Sequence, residues 1–218
     1  MSIRTIALDG PAGCGKSTLG RNLSKRLGFF FLDTGLLYRA IARHAMNVGV
    51  KIHDEDIVKD YAQNLTVDVK QLRPKFKFQL NECAVTDLYC LQIDKVVPTI
   101  AAYPEIRAKV REIQRHIAAQ GDIILAGRDI GTVVLPDADL KIYLDVSLDE
   151  RAKRRFLAQN RDERTLEQVR EDLLLRDALD STREVSPMKV AEDAIVICSD
   201  GMQPEEVVDA VLQHFPSL

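Results

Sequence analysis

Short apolar runs alternate along this chain with longer stretches whose apolar positions recur at helical spacing. Five of the runs are rich in β-branched or aromatic residues: RTIAL at 4–8, FFFL at 29–32, DIILA at 122–126, LKIYLDV at 140–146 and AIVIC at 194–198. They are nearly continuous in apolar character rather than alternating, which suits strands covered on both faces. Regular alternation of strand and helix predicts an α/β fold: a five-stranded parallel sheet between two helical layers.

Two stretches break that rhythm. Residues 65–97 hold short alternating segments, TVDV and KFKFQL, around turn signals, and predict a small antiparallel insertion. Residues 149–184 are charged and of helical period, with arginines at 151, 154, 155, 161, 164, 170, 176 and 183, and predict a solvated helical hairpin. The expected organisation is a core of residues 1–64, 98–148 and 185–218, an insertion at 65–97 and a helical appendage at 149–184.

Composition narrows the functional classes. A chain of 218 residues with 46% hydrophobic and 29% charged residues has room for one large α/β domain with small appendages. The formal net charge of −3 gives no basic excess for a nucleic-acid or anionic membrane surface. No apolar run approaches the roughly 18 residues of a membrane helix. The N-terminal run leads straight into a glycine-rich loop, unlike a secretory signal, so a cytoplasmic location is expected. Cysteines 14, 83, 90 and 198 form no C-x-x-C pair and read as reduced thiols. Histidines 44, 53, 116 and 214 lack metal-ligand spacing and read as surface or satisfied core residues.

The strongest chemical signal follows the first strand. GPAGCGKS, residues 10–17, fits G-x-x-x-x-G-K-[ST] between a predicted strand ending at Asp9 and a predicted helix, KSTLGRNLSKRL. Gly10, Gly13 and Gly15 let the backbone curl so that successive N–H groups face phosphate, and the helix start adds its positive end. On this reading Gly10, Pro11, Ala12, Gly13, Cys14, Gly15, Lys16, Ser17 and Thr18 bind ATP. Lys16 bridges the β- and γ-phosphates, and the Ser17 hydroxyl sits on Mg²⁺. Cys14, near a helix start and a lysine, is expected to be an alkylatable thiol that nucleotide protects.

A regulatory GTPase would need D-x-x-G and N-K-x-D motifs, and the sequence has neither. A small kinase is favoured by the polar groups at other strand ends, since ligands of open α/β sheets bind beyond the strands' carboxyl ends. One run ends in Asp33-Thr34-Gly35 and opens a helix carrying Tyr38 and Arg39; another ends in AGRDIGTVV with Arg128 and Asp129. Arg176, Asp180 and Arg183, at i, i+4 and i+7, fall on one helix face. Arg151, Arg154 and Arg155 share another, as expected of a lid that folds arginines over transferring phosphates.

Taken together, IALDGPAGCGKST, LDTGLLYRA, AAYPEIR, AGRDIGTVVLPDADLKIYLD, ERAKRR and RDALDSTREVSP resemble, in order and spacing, the bacterial cytidylate kinases. The likeness runs over essentially the whole chain and is loosest at 65–97. It implies a three-layer P-loop NTPase core with an acceptor-binding insertion and a helical lid. The implied reaction transfers a phosphoryl group from ATP to CMP or dCMP with Mg²⁺. By position it assigns Arg39, Arg128 and Arg183 to the acceptor phosphate and Thr34 to a place beside the acceptor. It assigns Arg176 and Asp180 to the acceptor's sugar, Arg107 and Asp129 to its base, and Arg154 to ATP. Lys16, Arg128 and Arg183 are the expected catalytic set. The implied partners are small nucleotides, with no nucleic acid, no membrane and a monomeric state.

The chain departs from the family's pattern in three places. Pro98 stands where a serine usually reads the base, Ala126 where an acidic residue usually precedes GRD, and Tyr89-Cys90 where an isoleucine and an arginine are usual. Loss of the serine hydroxyl is expected to loosen cytosine selectivity, and Ala126 shifts the expected metal support to Ser17, Asp9 or Asp33. A kinase of the same fold acting on UMP, AMP or shikimate is the alternative, separable by acceptor screening.

Overall fold

The computed structural model describes residues 3–72, 75–158 and 164–215. Its five-stranded sheet has the order β2 (Phe30–Asp33), β6 (Ile123–Ala126), β1 (Thr5–Asp9), β7 (Leu140–Asp145) and β8 (Ile195–Cys198). Every predicted core strand is present, displaced by at most a residue or two at its ends. Ile6 lies opposite Ile124 and Leu140 in the parallel ladders, and Ile142 opposite Ile195. This explains the unbroken apolar runs, because strands inside a parallel sheet bury both faces.

The chain divides into two compact units, residues 1–31 with 121–218, and residues 32–120. In the first unit, α1 (Lys16–Leu27) packs its Leu19 and Leu23 against Leu8, Ile124, Ile142 and Leu144 of the sheet, with Val207, Val208 and Val211 of α8 (Pro204–Leu212) in the same core. The charged stretch forms α6 (Leu148–Ala158) and α7 (Leu166–Ser181), as the hairpin reading predicts. Thr165 and Gln168 form a reciprocal capping box that starts α7. Arg161 lies outside the described residues.

The second unit holds α2 (Gly35–Asn47), α3 (Glu55–Gln63), α4 (Leu91–Ala102) and α5 (Pro104–Ala118), with an antiparallel sheet of β3 (Val67–Leu72), β4 (Lys75–Leu80) and β5 (Cys83–Val85). Asn81 and Glu82, both at positive φ, make the two-residue turn between β4 and β5. Antiparallel pairing covers only part of the predicted 65–97 insertion, since the chain is helical from Leu91 onward. Ile93 and Ile100, fully buried and seven residues apart, are the helical signal there, and Pro98 inside the helix obscures it in the sequence. His44 is a satisfied core residue, its Nδ1 2.9 Å from the Tyr61 hydroxyl, while His53, His116 and His214 are exposed.

Candidate active site

β6, β1 and β7 are parallel neighbours, so the segments leaving their carboxyl ends emerge along one edge of the sheet. The first is the glycine loop. Gly10 takes φ +150°, and a Cβ there would lie 2.4 Å from the Leu144 carbonyl oxygen, so no larger residue fits. Gly13 and Gly15 also have positive φ, which turns the chain into α1. The Lys16 ammonium folds back within the loop, donating to the carbonyls of Gly10 at 2.7 Å and Pro11 at 2.6 Å, with Cys14 Sγ at 3.3 Å. Ser17 opens the helix beside it, and Thr18 and Leu19 donate their N–H groups to the Gly15 carbonyl.

Cys14 Sγ belongs to the hydrophobic core and the residue is 1% exposed. The expectation of an accessible, alkylatable thiol is therefore corrected: the side chain points away from solvent. The Ala12 N–H donates to Asp177 Oδ1 at 2.9 Å, and Pro11 has no N–H. Among the described residues, the main-chain N–H groups of Gly13, Cys14 and Gly15 make no main-chain hydrogen bond within the loop.

The second segment follows β6. Gly127 donates to the Leu8 carbonyl at 3.0 Å, and the chain then turns through a π-helical segment, Ile130–Val134. Asp9, at the end of β1, holds that turn by accepting the N–H of Ile130 at 2.9 Å and of Gly131 at 2.7 Å. Burial pushes the Asp9 carboxyl up to about 6; the two N–H donors pull it back, Asp129 adds to the rise and Lys16 opposes it. The turn presents Arg128 and a buried Asp129.

Arg128 Nε donates to Asp180 Oδ2 at 2.9 Å, and Arg183 pairs with the other oxygen of that carboxylate. Asp180 is buried, so one anion anchors two guanidinium groups and leaves the trio a net positive charge. The single helix face expected for Arg176, Asp180 and Arg183 is corrected in part. α7 ends at Ser181, so Arg183 lies beyond the helix and reaches Asp180 from the following turn. Arg176 is exposed on α7.

Two of the α6 arginines engage the protein itself. Arg151 is buried, donating from Nη1 to the Ala12 carbonyl at 2.8 Å and to Asp177 Oδ2 at 2.5 Å, and from Nε to the Val146 carbonyl at 3.0 Å. Arg154 donates to Glu150 Oε1 at 2.8 Å and to the Ser199 carbonyl at 2.6 Å. Asp177 was not singled out from the sequence. Its partner Ala12 is 165 residues away, and in RDALD it is simply one of two aspartates on a charged helix.

In the second unit, Thr34 is buried at the start of α2. Arg39, further along that helix, donates to the Leu88 carbonyl at 2.9 Å and to Asp94 Oδ1 at 2.6 Å, and its guanidinium lies 5.1 Å from the centre of the Tyr89 ring. Tyr89, which stands where the family usually has an isoleucine, thus offers its ring to the Arg39 cation. Arg107 on α5 is buried, donates to the Ala101 carbonyl at 3.3 Å and lies over the Tyr38 ring at 5.7 Å. Pro98 is exposed on α4, and Asp33 accepts the Gly35 N–H at 3.1 Å.

Residues 6–217 match the family model described as cytidylate kinase. The chain belongs to the cytidylate kinase family. Within that family it is 42% identical to the cytidylate kinase of Desulfitobacterium hafniense (strain Y51) over 212 residues, covering 96% of this chain and 91% of that one. It is also 42% identical to the cytidylate kinase of Carboxydothermus hydrogenoformans over 211 residues, 95% of each. The fold is shared more widely. A shikimate kinase from Bacteroides thetaiotaomicron superposes with a TM-score of 0.53 at 11% identity, over 96% of this chain and 97% of that one. Among the described residues no helix is long and apolar enough to cross a membrane.

Proposed function

We propose that this protein is a cytidylate kinase, transferring the γ-phosphoryl group of ATP to CMP or dCMP to give ADP and CDP or dCDP. The observation that best supports this reading in the molecule itself is the buried Asp180 carboxylate holding Arg128 and Arg183, within the unit that carries the glycine loop. Two guanidinium groups on one anchor form a preset receptor for a phosphate dianion. Phosphoryl transfer asks little covalent work of a protein, so positioning and positive charge supply most of the catalysis.

ATP takes the glycine loop through the N–H groups of Gly13, Cys14 and Gly15 and through Lys16, which exchanges the carbonyls of Gly10 and Pro11 for phosphate oxygens. Arg154 belongs to the same subsite. Thr34, Arg39, Arg107, Arg128, Asp129, Arg176, Asp180 and Arg183 contact the acceptor, with Arg107 and Asp129 on the base. Cytosine offers an amino donor beside two acceptors, and a carboxylate with a guanidinium matches that edge; uracil would place an oxygen against the carboxylate.

No group of three or more His, Cys, Asp or Glu able to hold a metal occurs among the described residues. The hydroxyl of Ser17 at the start of α1 is a hard oxygen donor of the kind Mg²⁺ takes alongside water and phosphate oxygens, so the site fits this ion. When bound, it supplies charge neutralisation at the phosphates, and Ser17 would hold it. The test is ADP production from ATP and Mg²⁺ with CMP, dCMP, UMP and AMP in parallel. Stimulation by CMP and dCMP is the expected result, and stimulation by UMP or AMP alone would overturn the acceptor assignment.

A further inference from the structure

The glycine loop is gripped from outside by a closed ring of hydrogen bonds. Asp177 takes the Ala12 N–H on Oδ1 and the Arg151 guanidinium on Oδ2, and the same Arg151 nitrogen returns to the Ala12 carbonyl. The Ala12 side chain is buried with Ala152 of α6 and Val169 and Leu173 of α7. We infer that Arg151 and Asp177 are positioning residues for the donor nucleotide, setting the orientation of the Gly13 N–H and the resting place of Lys16. The inference rests on the reading that this loop takes ATP.

The reason lies in the geometry of the peptide group. A trans peptide is planar, with its C=O and N–H pointing in opposite directions. The Ala12 carbonyl shares a peptide plane with the Gly13 N–H, so turning that carbonyl toward Arg151 turns the Gly13 N–H the opposite way. The Ala12 N–H shares a plane with the Pro11 carbonyl. Turning that N–H toward Asp177 aims the carbonyl the other way, where the Lys16 ammonium meets it at 2.6 Å. The Pro11–Ala12 and Ala12–Gly13 peptide planes, which lead into the glycines of the loop, are thereby fixed in register. A buried ion pair is an expensive way to fill space, and well-packed apolar residues often serve as well. This pair has a specific task because its hydrogen bonds end on both polar groups of one loop residue. Arg151 suits it better than lysine would, since a rigid guanidinium fork serves three acceptors at once.

The experiment measures the dissociation constants of ATP and of CMP separately, by calorimetry, well below each variant's unfolding temperature. Wild type and Lys16→Ala establish whether the loop takes ATP; unchanged affinity in Lys16→Ala would overturn that reading and this inference with it. With the loop established, Asp177→Ala is expected to weaken ATP about tenfold or more while CMP changes less than about twofold. Asp177→Asn, of the same shape and keeping one acceptor oxygen, is expected to lose only about threefold, and Arg151→Lys to fall between the two. Asp172→Ala, which breaks the exposed Arg164–Asp172 pair in the same region, is expected to leave ATP affinity unchanged. Unchanged ATP affinity in Asp177→Ala and Asp177→Asn overturns the inference. So does an equal loss of CMP affinity, which a merely structural role would produce.

Discussion

Arg128 donates its Nε–H to Asp180 at 2.9 Å although 52 residues separate them, and so a guanidinium from the loop after β6 is held by a carboxylate on α7. The pair is well buried, with side-chain exposures of 17% and 7%, and Arg183 completes it. Replacing Arg128 by alanine is expected to lower kcat/KM for CMP by about 10²–10³ while changing KM for ATP only a few-fold. Asp180→Asn is expected to cost about tenfold or more, because the amide keeps one acceptor oxygen where two guanidinium groups each need one. Steady-state kinetics with each substrate varied in turn decides both; a loss confined to ATP would contradict the assignment.

Asp9 makes stability depend on pH in a defined direction. Its carboxyl is raised to about 6 in the folded state, against an ordinary 3.8, so the folded protein binds that proton more tightly than the unfolded chain. The resulting stabilisation is complete below about pH 3.8 and is lost as pH rises through about 6. Asp9→Asn removes the titration. The stability of wild type relative to this variant is therefore expected to fall by on the order of 2–3 kcal/mol between pH 4 and pH 7. Urea unfolding of both proteins across that range measures it, and a flat difference would contradict it.

Thiol labelling separates the buried cysteine from the exposed ones. Cys83 and Cys198 are exposed and are expected to react rapidly with iodoacetamide in the native protein, whereas Cys14 reacts only as fast as the fold opens. Mass spectrometry of labelled peptides, with and without ATP, reads the rates. Rapid native labelling of Cys14 would show that its side chain faces solvent.

Pro98 is exposed in the interior of α4, where it offers no N–H to the Asp94 carbonyl. Pro98→Ser restores the donor and is expected to stabilise the protein by about 1–3 kcal/mol. If the acceptor base lies within reach of this position, the same change raises the preference for CMP over UMP by about tenfold. Thermal unfolding measures the first effect and competitive turnover the second. A stabilised variant with unaltered CMP and UMP kinetics would separate the helix from base recognition.

The parts legible in the sequence were those encoded by neighbours along the chain. Unbroken apolar runs mark strands buried on both faces, and the spacing of glycines, lysine and serine marks a loop whose backbone must curl ahead of a helix. Arg128 and Asp129 stood out because strand ends in such sheets face ligands. The helix from Leu91 was harder to read, since Pro98 interrupts the local signal and burial of Ile93 and Ile100 decides the outcome.

What only the tertiary structure decided is which side chains spend their charge on the protein itself. Arg151 and Arg154 look alike on the helix, yet one is buried against the glycine loop and the other reaches the Ser199 carbonyl. Asp177 and Asp180 differ by three positions, but one grips Ala12 and the other Arg128. Cys14 sits in the glycine loop with its sulfur in the core. Local pattern places a residue on an element and a face, because that follows from backbone periodicity. Its partner depends on how distant elements pack, and no short stretch of sequence contains that information.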